Sequence, residues 1–290
     1  MERTFWDKLR ILVTNKCNYR CPFCHNEGQL KAEALNMMSF DDFKTLIDIL
    51  NGQIISELHF SGGEPFLNKD IVKMIEYVDK NTNWGIGCAT NLSIITSEQV
   101  ASLAKTRVKF NIQFPYANER LFKLSTGNGD FYHICNQIKM IKQAGIRLGL
   151  NAVVQNNNKE HIRELLLFAI KNEVALKLLP QIGLDESVLF KNELYPVLKE
   201  YATDCYDKKT GALRWTVEKE GRYSTVLYID SPCFDKDINK CREFGEIRIH
   251  PDISLQPCIF KDKLYPMNLN LGKDEVLSKM QTLWNNFNNC

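Results

Sequence analysis

Six short apolar runs, rich in β-branched and aromatic residues, punctuate the first 180 residues at 9–13, 57–60, 85–89, 108–114, 147–154 and 174–179. Between them lie stretches with helical spacing. Ser39 is placed to cap a helix that buries Phe40, Phe43, Leu46, Ile47 and Leu50 on one face. Phe131, Ile134, Cys135, Ile138 and Ile141 repeat at the same spacing until Gly145 stops the helix. Asn158 is placed to cap a third, with Ile162, Leu165, Leu166, Ala169 and Ile170 on its buried face. Strands that alternate with helices of this length predict parallel βαβ units. Six are too few to close an eight-fold barrel, so the fold expected is α/β, a partial (β/α)6 barrel. The rhythm breaks after about residue 181, where turn-like Lys-rich and Gly-containing segments and three short strand signals (224–229, 246–250, 254–256) predict a small C-terminal α+β domain. The division expected is 1–184 and 185–290.

The first strand runs directly into Cys17-Asn18-Tyr19-Arg20-Cys21-Pro22-Phe23-Cys24-His25, a C-x3-C-x2-C spacing. Three thiolates on one loop suit three corners of a cubane iron–sulfur cluster, with the fourth iron left open to a small ligand. Three rivals use the same residues. Cys21 to His25 matches c-type haem attachment, which needs an export compartment. Cys21 and Cys24 match a thioredoxin-like dithiol, which leaves Cys17 without a part. A structural zinc needs a fourth ligand, and His25 is adjacent to Cys24, a poor chelating geometry. The second strand ends in Ser61-Gly62-Gly63-Glu64-Pro65, where two glycines allow close backbone approach and Pro65 stiffens the exit. Alone it reads as a tight turn. Paired with the cysteine loop at the same edge of a parallel sheet, it marks an active site.

Composition narrows the setting. The formal net charge is +2, so no electrostatic case exists for nucleic acid or a membrane surface. No apolar run approaches the ~20 residues of a membrane span, and no signal-peptide core precedes the first strand. Ten cysteines with a cytoplasmic, reducing location point to metal ligands or redox chemistry over disulfides. The Asn-rich tail at 285–289 is expected to fray.

On the cysteine trio, Phe23 and Gly62-Gly63-Glu64-Pro65, the chain resembles the radical S-adenosylmethionine (SAM) superfamily. The resemblance implies a 4Fe–4S cluster held by Cys17, Cys21 and Cys24. Its open iron binds SAM and splits it reductively to methionine and a 5′-deoxyadenosyl radical that abstracts a hydrogen atom. It further implies that Phe23 contacts the adenine and Gly62, Gly63 and Glu64 the methionine end, with Thr90, Asn91, Gln113, Asn151 and Gln181 as further cofactor contacts at strand ends. Those amides could equally bond backbone. An electron donor such as flavodoxin or ferredoxin is the implied partner.

Three more cysteines follow, Cys233-x7-Cys241-x16-Cys258. They read as buried inert thiols, as a zinc site, or as ligands of a second cluster. The segment from Ile247 to Cys258 resembles the "twitch" auxiliary-cluster module of radical enzymes such as the GTP 3′,8-cyclase of molybdenum-cofactor synthesis, which implies a second 4Fe–4S cluster. Cys205 or Cys290 could complete it, while Cys88 and Cys135 read as core. Arg10 and Arg248 fall where that branch has substrate-binding arginines. Departures count against the same reaction: His59 and Glu246 replace arginines, Gly149 replaces a lysine, the first two auxiliary cysteines are more widely spaced, and the tail ends in Cys290 where that branch has Gly-Gly. Fewer cations imply a substrate less charged than a triphosphate. The reading reached is a radical enzyme acting on a small molecule such as a nucleoside, sugar or amino-acid derivative. A peptide maturase is the alternative, weakened by the short segment before the first strand. A non-catalytic electron-transfer protein is the alternative of another class and leaves the glycine motif unexplained.

Overall fold

The structure is a computed structural model that describes residues 5–24, 36–208 and 212–287. His25, Cys290, the end of the Asn-rich tail and most of the turn at 208–211 lie outside the described residues. Six parallel strands form the centre: β1 (Lys8–Leu12), β2 (Glu57–Ser61), β3 (Gly85–Thr90), β4 (Lys109–Gln113), β5 (Arg147–Val154) and β6 (Ala175–Pro180). Each follows its neighbour in sequence and in space. Residues on one face stack in register, Ile11 beside Phe60, Phe60 beside Cys88, and Cys88 beside Phe110. All four are fully buried. Period two sends these side chains outward to the helices and turns the intervening, more polar positions into the barrel. Cys88 is core, as its pattern predicts.

The covering helices are α1 (Phe40–Leu50), α2 (Ile71–Asn81), α3 (Ser97–Leu103), α4 (Glu119–Thr126), α5 (Phe131–Gln143) and α6 (Ile162–Asn172). Ser39 caps α1 by accepting the Asp42 N–H, and Gly145 ends α5 at φ +77°. Asn158 does not cap α6. Its amide accepts from Gln155 N at 2.7 Å and donates to Val153 O at 2.7 Å, which braces the exit of β5. A single 3-10 turn then intervenes before Ile162. The asparagine satisfies its own loop first, a common competitor of capping.

The C-terminal segment carries α7 (Phe190–Lys199), β7 (Ala202–Asp207), β8 (Ala212–Lys219), β9 (Arg222–Ile229), α8 (Pro232–Asp235), α9 (Ile238–Phe244), β10 (Glu246–Ile249), β11 (Ser254–Gln256), β12 (Tyr265–Pro266) and α10 (Lys273–Asn286). Among the described residues it builds no sheet of its own. β9 pairs parallel with β6, and β10 pairs parallel with β1, so all twelve strands share one sheet. A parallel strand with an open edge is a liability, and both edges of the barrel are covered in this way. The division at 184/185 therefore marks a change of rhythm along a continuous sheet. Asn285 and Asn286 are helical, because Trp284 anchors α10 edge-on to Trp6 at 5.0 Å. Arg242 of α9 donates to Trp284 O and Phe287 O, closing that helix's end. Among the described residues no helix is long and apolar enough to cross a membrane.

Candidate active site

The loop after β1 is pinned from beneath by the loop after β2. Gly63 N donates to Thr14 O at 2.8 Å and Glu64 N to Lys16 O at 2.9 Å. A Cβ on Gly62, whose φ is +128°, would stand 2.2 Å from Thr14 O, and one on Gly63 would stand 1.9 Å from Lys16 O. The close approach that these glycines permit is therefore made by the backbone of the cysteine loop itself. That loop is further tied to α4 through Arg20 N and Thr126 O at 2.9 Å, and the Arg20 guanidinium donates to Cys17 O at 3.3 Å.

Glu64 is buried and fully engaged. It accepts from Phe66 N (3.1 Å), Thr90 Oγ1 (2.7 Å) and Asn91 N (2.7 Å). Burial pushes its carboxyl up to about 7 against the pull of those donors. Asn91 in turn donates to Asn18 Oδ1 at 2.9 Å, so Glu64, Thr90 and Asn91 lock β2, β3 and the cysteine loop together. Gln113 and Asn151 differ. Gln113 Nε2 and Asn151 Oδ1 are buried and have no hydrogen-bond partner among the described residues. Leaving such an atom unsatisfied costs about 1–3 kcal/mol, and both residues line the central cavity. Gln181 does not line it. Its neighbours Pro180 and Ile182 do, while Gln181 accepts from Gln155 Nε2 at 2.6 Å.

The cavity has a volume of about 370 Å³ and is lined both by Cys17, Cys21 and Cys24 and by Cys233, Cys241 and Cys258. Topology accounts for the meeting. The chain from the end of β9 beyond one barrel edge to the start of β10 beyond the other carries α8 and α9, hence Cys233 and Cys241, across the open side. Phe23, 5% exposed, packs with Tyr19, Cys21 and Val153 at the cavity wall.

The donor set fits clusters. Burial, then the nearby charges of Cys17 and Cys24, pushes the Cys21 thiol up to about 12, and burial raises Cys17 and Cys233. Three thiolates persist together in such a place only around a bound metal cation, and iron of a cluster supplies one. Among the described residues no group of three or more His, Cys, Asp or Glu is arranged to hold a metal ion. Ligands of a cubane each bind a different iron and need not converge on one point.

Arg10 and Arg248 line the cavity, and both turn toward Glu246. Arg10 makes a two-pronged bond at 2.9 and 3.0 Å, and Arg248 Nη2 lies at 3.7 Å. Despite burial, the two guanidinium groups hold the Glu246 carboxyl down at about 2. In the sequence alone Glu246 stands out only as a replaced arginine, with no sign of this clamp. The register of β1 with β10, Lys8 beside Glu246 and Arg10 beside Arg248, brings the three together and is invisible in one dimension. Glu246→Gln leaves two cations without their counter-charge and is expected to cost about 3–5 kcal/mol at neutral pH. A carboxyl lowered from 4.5 contributes stability above that pH and loses it as pH falls toward 2. Urea unfolding at pH 7 and pH 3 should therefore show a gap between wild type and variant that narrows in acid. A gap of equal size at both would refute the clamp.

A family model described as the radical SAM superfamily matches residues 11–169. A GTP 3′,8-cyclase of Clostridium perfringens (strain SM101 / Type A) is 26% identical over 268 residues, which cover 87% of this chain and 80% of that one. A GTP 3′,8-cyclase of Rhizobium etli (strain CFN 42) is 26% identical over 201 residues, covering 68% and 58%. Among solved structures, Streptococcus suis SuiB bound to S-adenosylmethionine superposes with a TM-score of 0.72 at 15% identity, covering 96% of this chain and 68% of that one. The protein anSMEcpe with bound AdoMet superposes at 0.67 and 15% identity, covering 94% and 79%.

Proposed function

The chain belongs to the radical SAM superfamily, and from that premise we propose that it removes a hydrogen atom from a small-molecule substrate held between two cysteine trios. The observation that carries this reading is the single cavity onto which both trios open, with the unpartnered amide atoms of Gln113 and Asn151 in its wall. When bound, the first cluster supplies the electron that splits SAM to methionine and the deoxyadenosyl radical. Cys17, Cys21 and Cys24 would hold that cluster, and Cys233, Cys241 and Cys258 a second one.

The chain's own residues do the positioning. Gly62, Gly63 and Glu64 fix the height of the cysteine loop, and Phe23 walls the site with an apolar face. Gln113 and Asn151 offer a donor and an acceptor to SAM or substrate. The named activity of the cyclase relatives favours a nucleoside-like substrate. His59, which lies 2.9 Å from Glu57, and Glu246, which binds Arg10, replace cations of that branch and favour one carrying less charge than GTP. Full-length protein reconstituted anaerobically with iron and sulfide, then given dithionite and SAM, is expected to yield 5′-deoxyadenosine and methionine in equal amounts. An intact cluster spectrum with no 5′-deoxyadenosine would overturn the reading.

A further inference from the structure

The second cysteine trio stands on two kinds of support. Cys258 is buried and follows β11, which pairs with β10, which in turn pairs with β1, so the sheet fixes its backbone. The turn after it is closed by Lys261 N donating to Cys258 O at 3.1 Å and Gln256 Nε2 to Lys261 O at 2.9 Å. Cys233 and Cys241 ride instead on α8 and α9, of four and seven residues, in the crossing between β9 and β10. Helices this short are unstable on their own, and no described residue of α9 is buried. Asp237 caps its start by accepting from Asn239 N at 2.9 Å and Lys240 N at 3.3 Å, and Gly245 ends it in the left-handed region at φ +62°. Those contacts shape the helix without fixing where it sits.

Arg242 supplies the missing reference. Next to Cys241 in the chain, it reaches out of α9 to the end of α10. Its Nε donates to Phe287 O at 2.8 Å, and its Nη2 to Trp284 O at 2.8 Å and Asn285 O at 3.4 Å. The guanidinium carbon lies 5.3 Å from the centre of the Trp284 ring. A helix leaves its last carbonyls short of internal partners, at the end where its dipole favours a cation. α10 is itself anchored. Val276, Met280 and Trp284 are buried, and Trp284 meets Trp6 edge-on at 5.0 Å, two residues before β1 begins. At the end of α9, Lys8 N donates to Gly245 O at 3.0 Å, and Lys8 Nζ lies 4.4 Å from the centre of the Phe244 ring. Both supports therefore refer back to β1: Cys258 through the sheet, Cys241 through Arg242, Trp284 and Trp6.

We propose that Arg242 is a positioning residue for the second trio, its fork onto the end of α10 holding Cys241 in place relative to Cys258. That the trio holds a cluster rests on the proposed function; the brace itself does not. The test uses the full-length protein with Cys17, Cys21 and Cys24 replaced by alanine, reconstituted anaerobically so that the iron left, about four per chain, belongs to the second trio. Its release to the chelator bathophenanthroline is followed by absorbance. Adding Arg242→Met is expected to speed release about tenfold, through loss of charge-assisted bonds to anchored carbonyls. Arg242→Lys keeps the cation without the fork and should fall between. Leu166→Ala, a deletion at a fully buried position of α6, is the control: it should lower Tm and leave release unchanged. Equal release with and without Arg242→Met overturns the brace, as does release that merely follows Tm in all the variants. If the methionine variant does not fold, the lysine variant decides: faster release supports the brace, and unchanged release overturns it. A triple-alanine protein that binds no iron removes the second cluster and this role with it, whereas iron that stays bound in Arg242→Met removes the role alone.

Discussion

Replacing Cys17, Cys21 and Cys24 together by alanine is expected to abolish 5′-deoxyadenosine formation and to remove about four irons per chain, leaving about four behind. The loss is total because the open iron is where SAM binds, and no other described residue stands in for the trio. Folding should survive it. The contacts that fix the loop's base, Gly63 N to Thr14 O and Glu64 N to Lys16 O, involve backbone ahead of the cysteines. Removing the buried Cys21 thiol and the half-buried Cys17 and Cys24 thiols relieves the repulsion they exert on one another as thiolates. The irons that remain test the second trio. Alanine at Cys233, Cys241 and Cys258 should give the converse: about four irons lost, with SAM cleavage by dithionite retained in part. Iron content by chemical assay and 5′-deoxyadenosine by chromatography read both variants. An iron-free first variant would remove the second cluster from the proposal. Unchanged SAM cleavage in it would remove the first.

The parts of this fold legible in one dimension are those set by local periodicity. The six strands of the centre appear within a residue or so of where apolar alternation puts them, and β5 matches at both ends. The caps at Ser39 and Gly145 follow from turn chemistry that acts over four residues. What escaped was decided by distant pairing. Nothing in the runs at 222–229 and 246–249 says that one joins β6 and the other β1, although this brings Cys233 and Cys241 to the cavity. Within the site, Cys17, Cys21, Cys24, Phe23 and the glycine motif carry their own signal in spacing. The roles of Thr90 and Asn91 do not, because the Glu64 carboxylate claims both. Along the chain Gln181 is a strand-end amide like the others, and its bond to Gln155 depends on where two loops cross.

Gly63→Ala is expected to be among the most damaging single substitutions outside the cysteines. Gly63 is not among the residues with positive φ, so alanine meets no conformational penalty of its own. The obstacle is steric and lies in backbone atoms. The new methyl would meet Lys16 O at 1.9 Å, Lys16 C at 2.3 Å and Cys17 N at 2.8 Å, and none of these can swing aside as a side-chain tip could. Relief requires lifting the cysteine loop, which breaks the Gly63–Thr14 and Glu64–Lys16 bonds and moves Cys17 directly. Overpacking of this kind costs about 3 kcal/mol, or roughly 5–10 °C in Tm. The larger consequence is functional: iron at the first trio and SAM cleavage should both fall while iron at the second trio stays. Gly149→Ala is the control, since its Cβ makes only ordinary contact with Ala175, and its Tm should stay within about 2 °C of wild type. The glycine pair then serves first to seat the loop that holds the cluster, and only through that seating to shape the place where SAM lies. A Gly63→Ala protein with wild-type Tm and a full complement of iron would break that ordering.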